Sequence, residues 1–132
     1  MTTHILMVDD EPDAQELFSQ NFRREIRKGI YAFDFALSGE AALEVLKGRT
    51  PPKVVMVLSD INMPGMSGIE LLAEIREHWP EVGVFMITAY GDQATETKAR
   101  ELGAVRFLSK PVDFEALKDD LSRVLASGEE SR

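Results

Sequence analysis

The stretch VVMVLSDINMPGMSG, residues 54–68, decides how this chain is read. It opens with an apolar run that does not alternate, as expected of a strand covered on both faces. An acid, Asp60, stands at the end of that run. A loop punctuated by Pro64 and Gly65 follows, and Ser67 with Glu70 forms the capping-box signature of a helix start. Strand, loop and helix in that order are the repeating half of a βαβ unit.

The same alternation extends in both directions. Apolar runs recur as HILMVD (4–9), YAFDFAL (31–37), VFMIT (84–88) and VRFLSK (105–110). Helical patterns separate them. One helix is predicted over Pro12–Lys28, with Ala14, Leu17, Phe18, Phe22 and Ile26 on one stripe. A second covers 39–48, with Ser38 as N-cap and Gly48 as stop. The third starts at Ser67, turns Leu72 and Ile75 inward and ends before Pro80. The fourth, Asp92–Leu102, is weakly amphipathic and should be the least firmly packed. The fifth follows an Asp113 cap, with Phe114, Leu117, Leu121, Val124 and Leu125 as its stripe. Five strands alternating with five helices predict an α/β fold, a parallel sheet with helices on both faces.

Composition narrows the function classes. At 132 residues the chain is one domain in size, with no internal repeat. We expect that domain over 1–126 and a polar tail or linker start over 127–132. The net charge of −8 opposes non-specific nucleic-acid binding by this domain. With no Cys, disulfides and thiolate metal sites are excluded. No apolar run reaches the ~20 residues of a membrane span, and no secretory signal is visible at the N-terminus, so a cytoplasmic location without membrane partners is expected.

The polar residues that attract attention stand at strand ends. Asp9 and Asp10 end the first run, Asp60 the third, Thr88 the fourth and Lys110 the fifth. Parallel strands bring those ends to one edge, where open sheets bind ligands at the point of strand-order reversal. With the order 2-1-3-4-5, strands one and three are neighbours there and the three acids cluster. Crowded carboxylates repel unless a cation intervenes, and oxygen-only donors suit Mg²⁺. A carboxylate beside Mg²⁺ can accept a phosphoryl group, with a Lys and a hydroxyl as partners for its oxygens. Lys110 and Thr88 supply these. The loop from Asn62 can bring a backbone carbonyl to the metal, and small Ala89 leaves its N–H open to a phosphoryl oxygen. Lys110-Pro111 is a bond type that can be cis. Taken singly, each of these residues has a plainer reading as a turn, cap or strand-end residue. The ordered set across four strands does not.

The set VDDE (8–11), SDINMPGMSG (59–68), TAY (88–90) and FLSKP (107–111) resembles the receiver family of two-component response regulators, from about His4 to about Ala126. The resemblance implies a flavodoxin-like three-layer sandwich of order 2-1-3-4-5. It implies Asp60 as phosphoacceptor, Asp10 as a direct Mg²⁺ ligand, Asp9 as a ligand through water and Asn62 as a carbonyl ligand. Lys110 would bind the phosphoryl group, Thr88 and Phe107 would act as switch residues, and Asn62 and Tyr90 would tune phosphate lifetime. Phe107 stands where many members have Tyr and lacks the hydroxyl contact. The implied partners are a sensor histidine kinase or phosphotransfer protein and a downstream effector. Output would pass through the fourth helix, fifth strand and fifth helix. Charges there, such as Lys98, Arg100, Glu101, Lys118 and Asp119, suit a phosphorylation-dependent homodimer or simply a solvated face.

Other readings are a receiver cut from a longer multidomain regulator, a receiver that only binds partners, a Mg²⁺-dependent aspartyl-phosphate phosphohydrolase and a flavin module. A phosphohydrolase of the haloacid dehalogenase type wants DxD after strand one, where this chain has Asp9-Asp10-Glu11. A flavin phosphate would be repelled by the same acids.

Overall fold

A computed structural model describes residues 2–48, 54–89 and 92–127. Five strands, β1 (Thr3–Val8), β2 (Tyr31–Ala36), β3 (Val54–Asp60), β4 (Gly83–Thr88) and β5 (Arg106–Ser109), form one parallel sheet in the order β2-β1-β3-β4-β5. The helices are α1 (Asp13–Asn21), α2 (Arg23–Arg27), α3 (Gly39–Lys47), α4 (Gly68–His78), α5 (Gln93–Glu101) and α6 (Phe114–Ser127). The fold is flavodoxin-like, and α6 runs one residue into the tail expected from residue 127.

Alternation along each strand builds a core on each face. Leu6, Val8, Val57 and Met86 meet α3, α4 and α5 on one side. Ile5, Met7, Leu58 and Phe85 meet Phe18 and Phe22 and, from α6, Leu117 and Leu121 on the other. The caps follow the sequence. Ser38 Oγ accepts the Ala41 N–H, Ser67 and Glu70 form a reciprocal capping box, and Asp92 and Asp113 accept from Thr95 and Ala116.

The helix count is six rather than five, because the helix expected over Pro12–Lys28 is interrupted at Phe22. Phe22 takes φ −105° and ψ 15°, while its ring is wholly buried 5.0 Å from that of Phe33. Hydrogen bonds from the Phe22 and Ile26 N–H groups to Phe18 and Phe22 carry the chain across the break. Leu17 and Ile26 are also not core residues, at 48% and 37% exposed. The line Ala14, Phe18, Phe22 meets the sheet, and Leu17 stands one residue off it.

Candidate functional site at the carboxyl ends of the strands

The switch point falls between β1 and β3, which pair directly, with Val8 opposite Ser59. Asp9 and Asp10 leave β1 there and Asp60 ends β3, so one carboxylate oxygen from each lies within 4.8 Å of the others. Asp9 and Asp60 are buried and Asp10 is half-buried. Asp9 Oδ1 accepts the Glu11 N–H at 2.9 Å, so this residue is a turn cap as well as a cluster member. Asp60 Oδ1 accepts the Ile61 N–H at 3.0 Å.

Lys110 reaches the cluster from the far side of β4. Its Nζ stands 3.2 Å from Asp9 Oδ2 and 3.6 Å from Asp60 Oδ1. Its backbone N–H donates to the Thr88 carbonyl at 2.8 Å, and the Lys110–Pro111 peptide is cis. Burial holds the Asp60 carboxyl up at about 6; Lys110 and the Ile61 N–H pull it down, while Asp9 and Asp10 push it up. Burial alone would lower the Lys110 ammonium, but Asp60 and Asp9 outweigh it and the net direction is upward. The lysine thus offsets part of the effect of burial and of the neighbouring acids, and a bound cation would further favour the ionised carboxylate.

The remaining expected residues fall around this centre. Thr88 is fully buried at the end of β4, and its Oγ1 accepts a long bond, 3.4 Å, from Asn62 Nδ2. That bond ties the loop after Asp60 to β4; nothing local in the sequence signals it. Ala89 follows on the exposed rim. Phe107 pairs in register with Met86 and is half-buried on the α3–α4–α5 side, the side Thr88 shares by alternation. Tyr90 lies outside the described residues. The loop itself is closed at its foot: the Gly68 N–H donates to the Ile61 carbonyl at 2.8 Å, and a Cβ on Gly68 would lie 2.2 Å from the Asp60 carbonyl oxygen.

Three carboxylates drawn from two adjacent strand ends, with one of them half-open, form an oxygen-only donor set that fits a hard divalent ion. A sheet of this strand order that held a flavin or nucleotide phosphate would present backbone N–H groups and hydroxyls here, not acids. The charge and the fold together define an acid-centred receiver.

The chain belongs to the response regulator receiver domain family, which matches residues 5–122. It is 36% identical over 123 residues to response regulator protein FleR of Pseudomonas aeruginosa, a match covering 93% of this chain and 24% of FleR. It is 32% identical over 125 residues to sporulation initiation phosphotransferase F of Bacillus subtilis, covering 95% of each. The chain therefore spans about a quarter of FleR and nearly all of the Bacillus protein. Its fold is similar to the signal receiver domain of an HD domain-containing protein from Pseudomonas fluorescens Pf-5, with TM-score 0.86, 29% identity and 97% and 98% of the two chains covered. No helix among the described residues is long and apolar enough to cross a membrane.

Proposed function

We propose that this domain, residues 1–126, is a phosphorylation switch whose Asp60 takes a phosphoryl group from the phosphohistidine of a sensor kinase or phosphotransfer protein. The observation that carries the reading is the convergence of Asp9, Asp10 and Asp60 with Lys110 at the switch point. An Asp60 carboxylate oxygen attacks phosphorus; the P–N bond breaks, and the imidazole leaves with its electron pair. Lys110 Nζ, the Thr88 hydroxyl and the Ala89 N–H donate to the phosphoryl oxygens. Asp10 and Asp60, the Asn62 carbonyl and, through water, Asp9 would hold Mg²⁺, which when bound neutralises charge on the acids and the incoming phosphoryl group. Drawing Thr88 inward would free space for Phe107 and remodel the face of α5, β5 and α6 toward a downstream effector or a second copy.

A groove of about 910 Å³ beside Asp9 and Lys110, floored by Met7, Phe18, Ile87 and Phe114, gives a phosphodonor protein an approach. The domain acts on itself and is not a turnover enzyme for an external metabolite; it works in the cytoplasm, without touching nucleic acid or membrane directly. A small acyl phosphate with Mg²⁺ should label the wild type, and Asp60→Asn or Asp60→Ala should abolish the label. Label that survives both substitutions rejects Asp60 as acceptor. Millimolar Mg²⁺ should raise the melting temperature, because it binds only the folded cluster; no shift would remove the metal from the scheme. Steady release of phosphate from a monoester would favour the phosphohydrolase instead.

A further inference from the structure

We infer that Glu40 is a positioning residue for the cation-holding loop, part of a latch between α3 and the segment that follows Asp60. The inference rests on the reading above and concerns a residue that lies outside the acid cluster.

The latch is reciprocal. Glu40 Oε2 accepts the Met66 N–H at 3.2 Å, across 26 residues of sequence. The same carboxylate lies against Gly65: a Cβ there would stand 3.1 Å from Glu40 Oε2. In the other direction, the Met66 side chain lies over Gly39, where a Cβ would stand 2.9 Å from its Sδ and 3.0 Å from its Cγ. Each segment therefore offers a glycine to the other's side chain. Gly65 also turns with φ +74°, a conformation costly for any residue with a Cβ.

These contacts complete the anchoring of one loop. Its foot is fixed by Gly68 under the end of β3, and Met63 is buried in the core. Its outer end, Gly65-Met66, is exposed or half-buried and has Glu40 as its side-chain hydrogen-bond partner. Asn62, the proposed carbonyl ligand, lies between the anchors, with its carboxamide on Thr88. Releasing the outer end widens the range of positions the Asn62 carbonyl visits, and cation binding must then narrow it again. The carboxylate works here as an acceptor, so an amide oxygen at the same place should serve.

The test compares Glu40→Ala and Glu40→Gln with wild type, each as the intact chain. The first readout is amide hydrogen exchange at Met66 without any metal. Glu40→Ala should speed it about tenfold, and Glu40→Gln should stay within about twofold of wild type, the scale expected for one hydrogen bond. The second is Mg²⁺ affinity by calorimetry, with Glu40→Ala about threefold to fivefold weaker and Glu40→Gln near wild type. Unchanged Met66 exchange in Glu40→Ala overturns the latch. So does weakening by Glu40→Gln equal to that by Glu40→Ala, since charge rather than the bond would then be the cause. A wild type that binds no Mg²⁺ overturns this inference together with the metal assignment, whereas normal wild-type binding with indifferent variants overturns the latch alone.

Discussion

Two helices flank the same edge of the sheet and are held very differently. Helix α4, which follows Asp60, buries Gly68, Leu71, Leu72 and Ile75 and opens on a capping box. Helix α5, which follows Thr88, buries Ala99 alone, and the strand it leads to, β5, has no buried residue. Asp60, the proposed phosphoacceptor, thus stands before a firmly packed helix, while the hydroxyl of Thr88 is followed by a lightly held one. Burial per residue sets the free energy of local opening. Under the proposed switching scheme, a shift at Thr88 would therefore cost less to pass into α5 than a shift at Asp60 would cost to pass into α4.

The largest effect should come from emptying the firm side. Leu72→Ala removes a side chain that is 1% exposed and should cost about 2–5 kcal/mol in denaturant unfolding. Ala99→Gly, at 0% exposed in α5, should cost only about 1–2 kcal/mol. Equal losses would erase the contrast between the two helices.

Next in size is the charge that the firm side supports. Asp60 is 5% exposed and its carboxyl sits at about 6 in the fold, above its ordinary 3.8. The folded state therefore keeps this proton to higher pH than the unfolded chain does. The group's favourable contribution is complete below the ordinary carboxylate range and is lost as pH rises through about 6. Without divalent cations, Asp60→Asn should be more stable than wild type at pH 7 by about 2–3 kcal/mol, and the gap should close toward pH 4 on the linkage argument. A gap that widens on acidification contradicts the sign. The smallest effect belongs to the light side: Asp92→Ala removes the acceptor for the Thr95 N–H. Exchange at the first amides of α5 should quicken while the global unfolding midpoint barely moves. A large drop in that midpoint would mean that α5 is part of the cooperative core.

Much of this was legible in the sequence because its signals are local. Apolar runs without alternation marked strands buried on both faces, and Ser38, Ser67, Asp92 and Asp113 marked helix starts that the structure keeps. The weak amphipathicity of 92–102 foretold the light packing of α5. The convergence of Asp9, Asp10, Asp60 and Lys110 was legible because parallel strands send their ends to one edge, so order along the chain translates into proximity. What escaped was tertiary. The interruption at Phe22 depends on where an aromatic cluster seats one ring, and a helical period runs through it unmarked. The same period counted Leu17 and Ile26 as core. The Asn62–Thr88 bond, between two side chains, and the Glu40–Met66 bond, from a backbone N–H to a side chain, each join residues 26 positions apart that are ordinary in isolation.

The missing side chain at Gly68 has a consequence for anyone transplanting this acid cluster into another parallel sheet. A Cβ at that position would intrude to 2.2 Å from the Asp60 carbonyl oxygen and 2.7 Å from Ile61 Cα, both backbone atoms that have nowhere to retreat. A graft that copies every acid but places alanine at the first residue of the following helix would lift the strand terminus off its register. The donor oxygens would then be present in the sequence and misplaced in space. The transferable unit is the three acids together with an empty volume the size of one methyl group.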